Sequence, residues 1–466
     1  MPESFGSVLK EMIDSANLSW GTYPLLSHGA TESLRQVGSE WQREVFLKPI
    51  VDGSWTGTMC LTEPHCGTDL GLLKTRAEPA EDGTYNVTGT KIFITAGEHD
   101  FTDNIIHLVL ARLPDAPAGT RGISLFIVPK LKVDQAGKTT GRNAVSCGSI
   151  EHKMGIRGSA TCVMNFDGAQ GYLIGAPNKG LNAMFLMMNT ARIAVGLQGL
   201  ALIERAYQNS LAYARDRLQM RSLSGAKRPD KPADPIIVHP DIRRLLLTQK
   251  AFAEGGRVLA YYAYLQADIV AKSADEAERK RADELLGFLT PIVKAMLTEA
   301  AIECTNHALQ VFGGHGYVKE WGMEQFVRDA RITTIYEGTT QIQALDLLGR
   351  KIMGLQAAGL RHFLGEVGAF CQAQSGNPAL AEFVAPLARL AQEWEQLTRE
   401  VGEAAMKDPE QVGAAAVDYL YYSGYVTLAY FWAREVAALG PAHGEDFRAS
   451  KLATARFWYQ RIVPRT

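Results

Sequence analysis

Cysteine is scarce, with six in 466 residues (Cys60, Cys66, Cys147, Cys162, Cys304 and Cys371), and no CxxC pair or regular spacing joins them. That argues against a disulfide framework and a structural metal site, and predicts reduced thiols. No charge sign dominates: 48 Lys and Arg are interspersed with 50 Asp and Glu, for a formal net charge of −2. No global field therefore draws the chain to nucleic acid or to an acidic membrane surface. No uninterrupted apolar run reaches the length of about 18 residues that a membrane span needs. The opening MPESFGSVLKEMIDSANLSW lacks a basic stretch followed by an apolar one, so the expectation is a cytoplasmic protein, neither secreted nor membrane-spanning. No GxGxxG follows a strand-like segment, which disfavours a Rossmann fold. Asn86-Val87-Thr88 matches a glycosylation acceptor, but without a secretory signal it reads as a chance match in a strand.

What is present is globular in composition, 46% hydrophobic and 21% charged, and too long for one ordinary core. From Val8 to Val51 the pattern reads as short helices broken by Gly21, Pro24 and Gly29, ending at the turn Asp52-Gly53. Between Thr58 and Asp167 come β-branched and aromatic runs: 84–95, 104–111, 123–129 and 162–167. No helical segments intervene, so an antiparallel sheet or barrel is expected rather than βαβ units. After Gly180 the apolar period becomes helical, as at Ile193, Leu197 and Leu200 and again at Leu289, Ile292 and Met296. Helices are expected at about 180–220, 239–273, 275–312 and 323–353, which invites a four-helix bundle. Pro291 either starts a helix capped by Thr290 or kinks a longer one, and Ser222 to Pro235 reads as a loop. Beyond Gly354 the chain is again helical, with breaks near 375–378, 408–409 and 440–441. The aromatics Tyr419, Tyr421, Tyr422, Tyr425, Tyr430, Phe431 and Trp432 read as a packed helix face or a subunit interface. The expected class is α+β, mainly α, in four parts: a helical remnant (1–57), a β-domain (58–175), a bundle (176–353) and a C-terminal helical domain (354–466).

Three segments carry chemistry. Thr62-Glu63-Pro64-His65-Cys66-Gly67-Thr68-Asp69 begins as a strand ends, and can present backbone N–H groups and two hydroxyls to a carbonyl-rich ring or a phosphate; an ordinary Pro/Gly turn is the alternative. Lys91-Ile92-Phe93-Ile94-Thr95-Ala96-Gly97 puts Phe93 and Thr95 on one strand face, which suits a flat heteroaromatic ring, although core packing is the more ordinary reading of a lone strand. The run Arg328 to Gln343 is interrupted at Glu337-Gly338. A carboxylate beside a flexible glycine at a helix break can point into a cavity, or it can be a surface Glu beside a cap.

In this order and spacing the three segments resemble the acyl-CoA dehydrogenase family. Further matching stretches are Gly148 to Ser159, Arg215-Asp216-Arg217-Leu218-Gln219 and Gln310-Val311-Phe312-Gly313-Gly314-His315-Gly316-Tyr317. The resemblance runs from near residue 10 to about 353. It implies FAD as cofactor, contacted by Leu61, Thr62, Gly67, Thr68, Phe93 and Thr95 in the β-domain. Phe93 stands where many members carry Trp, which keeps a stacking ring. Arg217, Gln219, Gln310 and Gly314 match positions that hold the FAD pyrophosphate and adenosine across a subunit interface. Thr339 and Gln341 match further FAD contacts. Glu337 matches the base that takes the α-proton of an acyl-CoA thioester, with Thr68, Arg192 and Gly338 on the substrate. Some members carry the base at the position of Ala191, an option alanine removes. The resemblance also implies electron-transfer flavoprotein as acceptor and a homodimer or homotetramer.

The extra segment 354–466 and the run Ile335 to Asp346 are most like the larger members, including 3-methylmercaptopropionyl-CoA dehydrogenases. One departure stands out: only the last helices of the family's N-terminal helical domain precede Thr58. A catalytically impaired flavoprotein on the same scaffold is the competing reading. Binding of DNA by the C-terminal domain is disfavoured, because 354–466 has no basic cluster.

Overall fold

A computed structural model describes residues 2–466, apart from the side chains of Leu186 and Asn189. Its main helices are α1 (Glu3–Ala16), α2 (Leu18–Val37), α3 (Gly180–Asp216), α4 (Pro240–Lys272), α5 (Glu276–Phe312), α6 (Met323–Arg331), α7 (Thr340–Leu345), α8 (Ala358–Gln374), α9 (Ala381–Lys407), α10 (Glu410–Ala437) and α11 (Glu445–Phe457). Its strands are β1 (Trp55–Cys60), β2 (Arg76–Pro79), β3 (Tyr85–Thr95), β4 (Asn104–Arg112), β5 (Ile123–Pro129), β6 (Leu131–Val133), β7 (Thr139–Arg142), β8 (Val145–Ile150) and β9 (Thr161–Ile174). The chain forms two compact units, one of residues 17–191 and one of 1–16 with 192–466.

In the unit 17–191 the pairings β4–β2–β3–β9–β5–β4 close on themselves, with β1 beside β4 and β8 beside β9. Most pairings are antiparallel. Two are parallel, β1 with β4 from Trp55↔Asn104 to Cys60↔Val109 and the single bridge Arg76↔Arg112. The sheet is therefore mixed rather than wholly antiparallel, because the chain returns through β2 and β3 before β4 lies beside β1. Helix α2 packs Leu26, Ala30 and Leu34 into a core shared with Ile106, Leu108, Leu110 and Leu125. It runs unbroken through Gly21, Pro24 and Gly29, where the sequence pattern suggested breaks. The apolar face outweighs the weak formers, Asn17 caps its start by accepting from Trp20 N at 3.0 Å, and Gly29 is needed where Met187 comes within 3.3 Å of where a Cβ would be.

In the other unit α3, α4 and α5 are long core helices. Pro291 lies inside α5, which continues from Asp275 as N-cap, so the cap at Thr290 does not form. By length and composition α3 and α5 could each cross a membrane, but their most apolar windows are 88% and 78% buried within the protein, as core helices are. The fourth expected helix is broken: α6 ends at Arg331, a tight turn leads through Glu337-Gly338, and α7 passes into a π-helix over Asp346–Gly354. Helix α1 buries a polar face, with Arg257 gripping Glu11 at 2.6 Å and Tyr261 donating to the same carboxylate at 2.7 Å. The expected breaks beyond Gly354 separate α8, α9, α10 and α11. Tyr419, Tyr430, Phe431 and Trp432 are buried, with Trp394 donating to the Tyr419 hydroxyl at 3.1 Å.

Candidate active site

In the unit 17–191 the turn after β1 is anchored from below. The buried Glu63 carboxylate accepts from Lys74 N at 2.7 Å, Thr75 N at 3.0 Å, the Thr75 hydroxyl at 2.6 Å and Lys91 Nζ at 2.9 Å. Lys91 also donates to Leu61 O at 2.9 Å, and Ile92 N donates to Thr62 O at 2.9 Å, which locks turn to strand. Burial alone raises the Glu63 carboxyl, but the Lys91 charge and these donors outweigh it and hold it below its ordinary value. Glu63, His65 and Cys66 offer close ligand atoms, but Glu63 is already saturated by its donors, so the group reads as structural.

The same anchoring leaves other groups unspent. The hydroxyls of Thr62, Thr68 and Thr95 make no hydrogen bond among the described residues. Register shifts between Lys91 and Ile94 against β9, and Phe93 sits at φ +59 with its ring 60% exposed. A bulky residue in the left-handed region at a bulge is strained, and such strain recurs where a side chain is aimed at a ligand. Ile94 and Ala96 are buried, Phe93 is exposed and Thr95 is half-buried. An exposed ring on the strand and threonine hydroxyls that are unpartnered among the described residues are groups that fit a flavin. Leu61 is partly buried and Gly67 exposed on the same turn.

In the other unit Arg217 and Gln219 follow α3, held by Ile236 N on Arg217 O at 2.8 Å and Gln219 N on Asp234 O at 2.9 Å. Both side chains are exposed, and the Arg217 guanidinium has no ion pair among the described residues, which leaves its donors open to an anion. Tyr213 stacks on Phe312 at 4.1 Å and shares a 2.9 Å bond with His315. That brings the end of α3 to Gln310, which is exposed, and to Gly314, where an added Cβ would meet nothing. A concavity of about 690 Å³ lined by Tyr213, Asp216, Phe312 and Trp321 lies here, away from Glu337.

Glu337 stands at the helix break with φ +56, followed by Gly338 at φ +90. Two consecutive left-handed residues reverse the chain, and the Thr339 hydroxyl caps α7 by accepting from Ile342 N at 3.3 Å. Gln341 is exposed on the first turn of α7. The turn is pinned through its carbonyls. Gln343 Nε2 donates to Glu337 O at 3.0 Å, and Lys294 Nζ donates to Gly338 O at 2.7 Å. The preceding Tyr336 hydroxyl donates to Gln198 Oε1. Desolvation pushes the half-buried Glu337 carboxyl above the ordinary carboxylate range, against the nearby charges of Arg192 and Lys294. Arg192 is itself buried and paired with Asp346 at 3.1 Å. Buried polar atoms without a protein partner cluster around the turn: Arg192 Nε, Gln198 Nε2 and Gln343 Oε1. Such atoms await a ligand or water. The sequence pattern points to the Glu337-Gly338 break and the family resemblance adds Thr339, Gln341 and Arg192, but neither reaches Lys294, Gln198, Gln343 or Asp346. An isolated Lys or Gln inside an apolar helical run, as in Pro291-Ile292-Val293-Lys294-Ala295-Met296-Leu297, was the available signal.

Known proteins resemble this chain over nearly its whole length. The profile for the acyl-CoA dehydrogenase middle domain matches residues 58–169, that for the acyl-CoA dehydrogenase C-terminal domain 178–353, and the acetyl-CoA dehydrogenase C-terminal-like profile 363–466. The chain is 44% identical over 472 residues to 3-methylmercaptopropionyl-CoA dehydrogenase of Ruegeria pomeroyi, across 99% of this chain and 79% of that one. It is 35% identical over 484 residues to the broad-specificity linear acyl-CoA dehydrogenase FadE5 of Mycobacterium tuberculosis, across 100% of this chain and 79% of that one. An acyl-CoA dehydrogenase complexed with FAD from Bacillus anthracis shares the fold, with TM-score 0.80 at 21% identity over 100% of this chain and 76% of that one.

The chain therefore belongs to the acyl-CoA dehydrogenase family, and it is an FAD-dependent oxidoreductase acting on CH–CH groups. Within that family it falls in the branch that includes 3-methylmercaptopropionyl-CoA dehydrogenase, whose added C-terminal helices it carries.

Proposed function

We propose that the chain dehydrogenates an acyl-CoA thioester between its α and β carbons, with Glu337 abstracting the α-proton. The carrying observation is the Glu337 carboxyl itself, raised by desolvation and presented on a strained turn with φ +56. An α-proton of a thioester is weakly acidic, so a general base works best when its own affinity for protons approaches that of the medium. Desolvation moves the Glu337 carboxyl in that direction. The backbone N–H of Glu337 is the donor we assign to the thioester carbonyl, where negative charge develops as the proton leaves. Bound FAD supplies the acceptor for the hydride lost from the β-carbon.

In this reading Leu61, Thr62, Gly67, Thr68, Phe93 and Thr95 hold the flavin end. Arg217, Gln219, Gln310 and Gly314 hold the pyrophosphate and adenosine of a flavin shared between subunits of a homodimer or homotetramer. Thr339 and Gln341 complete the flavin contacts, and Thr68, Arg192 and Gly338 serve the substrate. The β-domain spans 58–175, the bundle 176–353 and the C-terminal helical domain 354–466. The relative from Ruegeria pomeroyi is named for 3-methylmercaptopropionyl-CoA, and that thioester or another short or medium acyl-CoA is the substrate we assign. Electron-transfer flavoprotein is the acceptor we assign.

The test is a panel of acyl-CoA thioesters from short to medium length, with an artificial electron acceptor, on the purified yellow protein and on Glu337→Gln. The variant is expected to keep its flavin absorbance and lose activity by about a hundredfold or more, the scale of general-base catalysis. Parent-like turnover in the variant overturns the assignment of the base.

A further inference from the structure

Lys294 is wholly buried in the middle of α5, with 0% of its surface exposed. An ammonium so placed is costly unless its charge and donors are used. It forms no ion pair within 4 Å among the described residues. Its one hydrogen bond goes to Gly338 O at 2.7 Å, the carbonyl immediately after Glu337 in the left-handed turn. The charged groups facing it are the carboxylates of Glu337 and Glu299 and the guanidinium of Arg192. Of these, the other cation and the second carboxylate have partners: Arg192 is paired with Asp346, and Glu299 accepts from the Thr340 hydroxyl. Lys294 has no such partner among the described residues: it ties down the turn that carries Glu337 and adds its charge to that of Arg192 on the Glu337 carboxyl.

We infer that Lys294 is a positioning residue for proton abstraction: its ammonium fixes the Glu337-Gly338 turn through the Gly338 carbonyl and, with Arg192, adds positive charge that favours the ionised form of the Glu337 carboxyl. The inference rests on Glu337 being the base. Desolvation raises that carboxyl, and Arg192 and then Lys294 oppose the rise. Burial raises its proton affinity, and the two cations limit that rise. Lys294 itself is drawn down to about 8 by burial. It is therefore charged through the acid and neutral range, where the base needs it, and loses its proton only as pH rises through that value.

The test compares holoenzyme of the parent, Lys294→Met and Lys294→Arg, with Glu337→Gln as reference. Butyryl-CoA turnover is followed against pH, and the Glu337 carboxyl is titrated directly by infrared difference spectroscopy of its C=O stretch. In Lys294→Met the acid limb of kcat and the infrared titration are expected to move to higher pH by about one unit, the lower end of what an opposite charge at close range does to a carboxyl. At pH 7 kcat falls by about tenfold while KM changes by less than about threefold, because the loss lies in the chemical step. Lys294→Arg keeps the charge and stays near the parent. An acid limb and infrared titration in Lys294→Met that coincide with the parent overturn the inference, even if activity or stability falls. Should Lys294→Met fail to accumulate, Lys294→Gln, which keeps a donor and drops the charge, is read by the same infrared titration, and an unmoved Glu337 there also overturns it. If Glu337→Gln turns over like the parent, the base assignment fails instead. If Glu337→Gln is inactive and Lys294→Met is unmoved, only the role of Lys294 fails.

Discussion

At the scale of single residues, the buried charges are arranged in pairs whose removal has opposite consequences. Lys91 and Glu63, both almost fully buried and 2.9 Å apart, hold the threonine-bearing turn against β3. Removing one partner leaves an uncompensated buried charge, at a cost of about 3–5 kcal/mol. Lys91→Met is therefore expected to lower the melting temperature by about 6 °C or more and to weaken flavin retention. The double variant Glu63→Gln with Lys91→Met should regain at least half of the loss, because no charge is then stranded. A double variant no better than the single one shows that Lys91 acts through packing. Lys91 was within the quoted strand motif, yet its partner was not legible. Glu63 lies 28 residues away in sequence, and only the close approach of turn and strand makes them neighbours. The same holds for Lys294 and Gly338, 44 residues apart.

At the scale of elements, the sequence pattern read well wherever one period persists over many residues. Strands β3, β4 and β5 and helices α4 and α5 carry long apolar patterns bounded by turn residues, and their ends fall close to the expected ones. Short strands such as β2 and β6 are too brief for a period to register. The bulge at Phe93 is set by pairing with β9, which the strand's own residues do not encode. Helix α2 was broken on paper because glycine and proline are weak helix formers, but packing overrides propensity. Glycine has a second use, in the close approach of α3 to α5. A Cβ on Gly199 would lie 2.5 Å from the Leu297 carbonyl oxygen, a backbone atom that cannot swing aside. Gly199→Ala must therefore push these helices apart, at a cost of about 1–3 kcal/mol. The expected result is a lower melting temperature and reduced activity, since the same α5 carries Lys294. Unchanged stability in Gly199→Ala shows that the helices are less tightly apposed than this contact requires.

At the scale of the whole molecule, two sets of expected flavin contacts lie in the two compact units. The exposed Phe93 ring and the free threonine hydroxyls form one set, and the unpaired Arg217 with Gln219, Gln310 and Gly314 the other. The reading that the second set serves a neighbouring subunit was carried by family likeness rather than by any pattern in the residues, because an exposed Arg looks the same whatever it meets. Complementation tests it. Arg217→Ala alone is expected to lose flavin, and Glu337→Gln alone to lose turnover. Co-expressed, a hybrid pairs the intact Glu337 of one subunit with the intact Arg217 of the other, so activity reappears. No recovery in isolated hybrids means that each subunit uses its own Arg217.

The account as a whole turns on which group takes the α-proton. Its most direct measurement is the anaerobic single-turnover rate of flavin bleaching with acyl-CoA, unlabelled and dideuterated at the α-carbon, in the parent and in Glu337→Gln. Deuterium should slow the parent, and the Gln variant should bleach at least about a hundredfold more slowly with either substrate. A Gln variant that bleaches at the parent's rate, with the same sensitivity to deuterium, contradicts the account, because another group is then removing the proton.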